Sequence, residues 1–231
     1  MKKTLLLIVI SFLSFSQNTS AQIDENAMGA WYMYFFNTSI NESPIGIQGD
    51  IQFRNWDMGG DLEQLLLRGG ITYKPKSANI LLTFGYGNIT TGTYGESTDT
   101  KSESRFYQEA LFPVQFGERL FTKHRFRYEQ RFVENQNFRT RYRYNIFVNI
   151  PLNKSSFKKN TYYLALYNEV FINGQREISN ENTVEIFDRN RFYSALGYVI
   201  KNGLNLQLGL MYQSTNNWSK SQIQLSIHHN I

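Results

Sequence analysis

The chain has 231 residues with 24 Lys and Arg, 19 Asp and Glu and no Cys, for a formal net charge of +5. Without Cys, disulfides and thiol chemistry are excluded. The charge falls to +3 once Lys2 and Lys3 are set aside, too mild to argue for nucleic acid as a partner. Aromatic residues make up 16% of the chain, with 15 Tyr and 18 Phe.

The N-terminus reads as a secretory signal. Lys2 and Lys3 precede an apolar stretch from Leu5 to Phe15, and Thr19 and Ala21 fit a small-x-small cleavage site before Gln22. The expected boundaries are therefore a signal peptide over 1–21 and a single domain over 22–231. No later apolar run approaches the roughly 20 residues of a membrane helix, so any membrane passage has to be made by a closed barrel.

The rest of the chain alternates with the period of two that belongs to β-strands. The spacing predicts a first strand over Ala30–Phe36 (AWYMYFF), then Ile45–Arg54, where Ile45, Ile47, Ile51 and Phe53 oppose Gln48, Asp50, Gln52 and Arg54. Gln64–Tyr73 follows with Arg68 on its polar side. Asn79–Asn88 sets Ile80, Leu82, Phe84 and Tyr86 against Thr83, Gly85 and Gly87, small residues that suit a crowded interior. Glu103–Phe112 puts Glu103, Arg105, Tyr107 and Glu109 on one face. Arg119–Val133 puts Lys123, Arg125, Arg127, Glu129 and Arg131 on one face. Phe138–Ile150 (FRTRYRYNIFVNI) places Arg139, Arg141 and Arg143 between aromatic and apolar residues. Further strands are expected over Thr161–Ile172, Arg191–Ile200, Leu204–Gln213 and Gln222–Ile231.

Short connections (Lys74–Ala78, Pro113–Glu118, Lys201–Gly203) alternate with long polar ones at Asn88–Ser102 and Asn173–Asn190. Strands of about ten residues suit a tilted membrane crossing better than a soluble sandwich, whose strands average about 5–6. Trp31, Tyr73, Tyr86, Tyr144, Tyr162 and Tyr212 are expected in girdles at the two interfaces. The fold class is thus all-β, a closed antiparallel transmembrane barrel of ten to twelve strands. The count raises a parity problem. Eleven strands cannot close an all-antiparallel barrel, so either AWYMYFF is peripheral or a twelfth strand has been overlooked.

The pieces LLLRGGITYKP, FGYGN, HRFRYEQRF, FRTRYRYNIFVNIPL, YNEVFIN and FDRNRFYSALGY, in that order, resemble the domain-of-unknown-function 2490 family of small bacterial outer-membrane β-barrel proteins. The resemblance spans nearly all of residues 22–231. It implies an outer-membrane location and no assigned activity, so no catalytic residue is carried over. Outer-membrane barrels usually end in an aromatic residue, whereas this chain ends in Ile231.

On the barrel reading the polar faces meet in the lumen. There the network or channel wall is expected to comprise Arg54, Arg68, Arg105, Glu109, Arg125, Arg127, Glu129, Arg131, Arg139, Arg141, Arg143, Glu169 and Arg191, joined by Asp50, Glu103, Arg119 and Lys123. Crossed Arg–Glu pairs would make a salt-bridged plug in a structural or porin-like barrel. The excess of basic residues leaves open a narrow anion-selective channel for small acidic solutes. The expected partners are outer-membrane lipid and lipopolysaccharide, with small anionic solutes as the further option.

Catalysis has thin support. His124 lies on the outward face, and Ser226 and His228 share a face without an acid to orient the histidine. His228 and His229 point to opposite faces, so no metal site is expected, nor a cofactor. A soluble periplasmic sandwich is the remaining alternative.

Overall fold

The computed structural model describes residues 23–41, 43–180 and 182–231. The signal peptide expected over 1–21 lies outside the described residues. Eleven strands follow one another with no helix between them: β1 (Gly29–Ser39), β2 (Ile45–Asn55), β3 (Leu62–Tyr73), β4 (Leu81–Gly92), β5 (Thr100–Phe116), β6 (Leu120–Val133), β7 (Arg139–Pro151), β8 (Tyr162–Asn173), β9 (Phe187–Lys201), β10 (Leu204–Ser214) and β11 (Ser219–Asn230). Every consecutive pair is antiparallel, and β1 pairs with β11 to close the barrel. Tight reversals use residues that tolerate a left-handed backbone. Gly117 (φ 58°) turns β5 into β6 and Gly203 (φ 82°) turns β9 into β10.

The closure resolves the parity problem by a route that alternation alone does not reveal. β1 and β11 are parallel, running from Gly29 opposite Gln222 to Asn37 opposite Asn230. One parallel seam lets an odd number of strands close. AWYMYFF is therefore neither peripheral nor evidence of a twelfth strand; it is the seam itself. Because of the odd count, β1 starts at one rim and β11 ends at the other. The rim where β1 starts, called upper here, carries the connections 56–61, 93–99, 134–138, 174–186 and 215–218. The lower rim carries 40–44, 74–80, 117–119, 152–161 and 202–203.

Two expected loops are shorter than the sequence implies. Most of Asn88–Ser102 is strand, since β4 runs to Gly92 and β5 starts at Thr100. Asn173 belongs to β8, and β9 starts at Phe187. Backbone pairing with neighbouring strands holds these polar stretches extended whatever their composition. The contrast between long and short connections is correspondingly weaker than expected.

Burial is inverted relative to a water-soluble domain. Among the described residues, 28 polar or charged residues are buried against 13 apolar ones. Large apolar side chains such as Ile71, Phe84, Leu196 and Leu208 stand on the outer face, each more than half exposed. Tyr73, Tyr86, Tyr144, Tyr162 and Tyr212 face outward as expected. Trp31 does not. It is 2% exposed and lies inside, on the same face as Met33 and Phe35, because β1 is aromatic on both faces and its pattern alone does not distinguish in from out.

The interior apolar residues cluster on one side, where Trp31, Tyr163, Ala165, Tyr193, Ala195, Val199 and Met211 pack together. Phe157, from the lower-rim connection 152–161, joins them, its ring 5.0 Å from Phe121 and 5.1 Å from Tyr163. At the upper rim, Trp56 contacts Tyr94 and Trp218 at 5.7 and 6.0 Å, and Gly95 N donates to Asp61 Oδ2, which ties three connections together. In the same rim, Asp57 Oδ1 accepts the amides of Gly59 and Asp61 at 2.9 and 3.2 Å.

Interior glycines make room for rings. The Tyr107 ring lies over Gly85 on the next strand and the Tyr163 ring over Gly197, closer than any Cβ would allow. Gly85→Val should therefore cost about 1–3 kcal/mol in urea unfolding, the range for overpacking a filled interior. Gly69→Val, whose Cβ would meet nothing within 4 Å, should stay within about 0.5 kcal/mol. The amides of Gly60 and Gly59 hold the Asp57 carboxyl below its ordinary value. A depressed folded-state pKa adds stability above the unfolded value and loses it as pH falls through the folded one. In a carbon-13 titration Asp57 should accordingly protonate below the ordinary carboxyl value of 3.8.

Candidate functional site

The barrel interior holds an ionic lattice built by strand register. Inward residues fall into rows across neighbouring strands. One row is Arg105, Arg131 and Arg139; the next is Tyr107, Glu129 and Arg141; a third is Glu109, Arg127, Arg143 and Phe171. Directly opposed like charges would repel. Arg105 and Arg143 instead reach diagonally to Glu129 and Arg131 to Glu103, while Arg127 and Arg141 pair within their own rows with Glu109 and Glu129.

Glu129 is the centre of the lattice and is fully buried. It takes Arg141 Nη2 at 2.7 Å, Arg143 Nη1 at 2.6 Å and Arg105 Nη1 at 3.4 Å. Arg143 also reaches Glu169 at 2.6 Å, and Arg125 meets the same oxygen at 2.8 Å. Arg127 Nε donates to Glu109 at 2.7 Å. Towards the upper rim, Glu103 holds Arg105 at 2.9 Å and Arg131 at 2.7 Å, and Arg141 reaches Asp188 at 2.7 Å. Strands β5 to β9 are thereby laced together by side chains as well as by backbone. On the opposite wall Arg68 pairs with Asp50 at 3.0 Å, and Gln52 donates to the same carboxylate.

A second motif crosses the lumen. Arg54 stacks on Trp31 at 3.8 Å, and Arg191 lies 4.8 Å from both Trp31 and Phe171. Arg143 sits 4.4 Å from Phe171. This alternation of guanidinium and ring runs from β2 to β7. It substitutes ring faces for missing counter-charges, since neither Arg54 nor Arg191 has a carboxylate within 4.0 Å among the described residues. Both lean on amide oxygens instead, Arg54 on Gln52 and Gln64, and Arg191 on Gln213. Arg139 also lacks a carboxylate, and its buried Nε has no hydrogen-bond partner among the described residues.

All 13 residues named as lumen-lining point inward. Arg119 does not belong with them. It lies exposed in the turn between β5 and β6 and donates to the Leu152 carbonyl. Lys123 faces the lower mouth. Two carboxylates escaped the pattern. Glu63 is turned inward by the register shift between Arg54 and Asn55, and donors on Trp31 and Gln222 reach it at 2.8 Å. Asp188 lies in a stretch that reads as loop. The interior is therefore better balanced than the alternation implied.

The sequence model for the family described as Protein of unknown function (DUF2490) matches residues 28–224. The chain belongs to that family. No curated protein and no solved structure matches it.

In this DUF2490 barrel the remaining chemistry-bearing residues are dispersed. Ser226 Oγ and His228 Nε2 meet at 3.0 Å inside the barrel, where the His228 ring stacks on Phe35 at 4.8 Å. No carboxylate bonds to His228 among the described residues. His124 faces outward with Tyr144, and His229 bonds Tyr34 on the face opposite to His228. No cluster of three metal-ligating side chains occurs among the described residues.

Glu129→Gln removes the one carboxylate that three guanidiniums share. Leaving buried charges uncompensated should cost about 3–5 kcal/mol in urea unfolding. Arg176→Gln breaks an exposed 3.8 Å pair with Glu185 and should cost less than about 1 kcal/mol.

Proposed function

We propose that this DUF2490 chain is an outer-membrane β-barrel that serves as a closed, structural barrel of the porin-like type rather than an open pore. The inverted burial supports the membrane part of this reading. A belt of Phe, Leu, Ile and Tyr on the outer face is costly against water and favourable against hydrocarbon. Strands of 11 to 17 residues meet or exceed the roughly 9–11 that a tilted crossing requires. Lipid and lipopolysaccharide are the partners this surface suits.

The observation that carries the closed-lumen part is the line of stacked side chains from Arg54 through Trp31, Arg191 and Phe171 to Arg143, which bridges opposite walls of the barrel. Barrels of about eight strands are nearly filled by side chains, and an eleven-stranded one needs long residues to achieve the same. Arginine, Trp and Tyr supply that length here. The second reading, an anion-selective channel, draws on Arg54, Arg139 and Arg191, the three inward guanidiniums without a carboxylate partner among the described residues.

The expectation is that the purified protein partitions into detergent and inserts into vesicles, yet shows no stepwise conductance in planar bilayers. Anion-selective steps that weaken in Arg141→Glu would favour the channel. A monomer that stays folded in water without detergent would overturn the membrane reading.

A further inference from the structure

The lower mouth of the barrel opens into a vestibule of about 750 Å³. Its wall takes inward residues from β1 to β6 and roofing residues from the connections 40–44 and 74–80. This volume falls in the range of small-molecule sites, roughly 300–1,000 Å³. Two residues beyond the lining Gly46 on β2, the Gln48 amide donates to Thr83 Oγ1 at 3.0 Å and to Glu109 at 3.4 Å.

The charge of the vestibule is one-sided. Lys74, Lys76 and Lys123 line it, and no described Asp or Glu does. Lys123 is distinctive within its own strand. Arg125, Arg127 and Arg131 on the same face of β6 each hold a carboxylate, whereas Lys123 has none within 4.0 Å among the described residues. Its cross-strand neighbours are Pro113 and Phe147, which offer no charge. On the adjacent strand β5, the Glu109 carboxylate is already taken by Arg127 and Gln48. Beside Lys123 the wall turns apolar, with Leu81, Leu111 and Pro113, and hydroxyls at Ser39 and Thr72 complete the cup.

We propose that this vestibule binds an amphiphilic anion, a phosphate monoester or carboxylate. Its head is held by Lys123 and its apolar body lies on Leu81, Leu111 and Pro113. An ammonium is a compact point charge that suits a phosphate or carboxylate head, and the lattice leaves it unused. The site lies within the barrel mouth, so it does not depend on whether the outer face meets lipid.

Calorimetric titration of the full barrel in dodecyl maltoside with hexyl phosphate tests the proposal. Saturable one-site binding is expected, weakened about tenfold or more in Lys123→Gln, the scale of a lost charged hydrogen bond. Hexanol should not bind, and inorganic phosphate should bind at least about tenfold more weakly than hexyl phosphate. Leu111→Asn should erase that difference between the two phosphates while leaving Lys123 in place, a readout that survives if Lys123→Gln fails to fold. Absence of saturation, equal binding to Lys123→Gln, or equal affinity for inorganic and hexyl phosphate would each overturn the proposal.

Discussion

A closed strand cylinder that turns its charges inward must neutralise them within its own walls. Each buried guanidinium carries a desolvation cost of several kcal/mol that only a well-placed counter-charge or ring face offsets. Arginine serves this constraint better than lysine because its planar fork reaches two acceptors and still stacks on an aromatic ring. Arg143 shows both uses at once, holding Glu129 and Glu169 while lying over Phe171. The register of β5 to β9 follows from the same requirement. A slip of one residue would turn Glu129 outward and take from Arg105, Arg141 and Arg143 the carboxylate they share.

The interior divides its labour along and across the axis. The ionic lattice occupies the wall from β5 to β9 and the upper half. The aromatic cluster with Phe157 fills the side formed by β8, β9, β10 and β1. The remaining lower corner, under β1 to β6, is the vestibule. Rigidity and fullness thus coincide where pairs are satisfied, and open volume coincides with Lys123, an inward lysine that the lattice does not use.

Much of this was legible in the chain, because a period of two marks the strands and a repeated Arg-x-Arg marks the inward face. The eleven elements and the inward direction of the main arginines follow from that alone. What was not legible depends on pairing rather than pattern. The parallel seam of β1 and β11 is a relation between strands whose paired residues lie 193 positions apart, and no local alternation encodes its direction. Glu63 faces inward only because of a register shift, and Asp188 belongs to a strand whose start looks like loop. Trp31 sits in a strand that is aromatic on both faces, so its side could not be read until its neighbours Arg54 and Arg191 were known. The vestibule was invisible for the same reason, being shaped by six strands at once.

The account rests on the outer face meeting hydrocarbon while the charges turn inward. With no native Cys to interfere, single cysteines at Ile71, Phe84, Leu208 and Tyr212 can each carry a nitroxide, and collision with oxygen or with a water-soluble nickel chelate then reports the surrounding solvent. In reconstituted vesicles, oxygen should dominate at mid-strand Leu208 and Phe84 and give way towards the strand end at Tyr212. Nickel access that dominates at Leu208 and Phe84 would contradict the account.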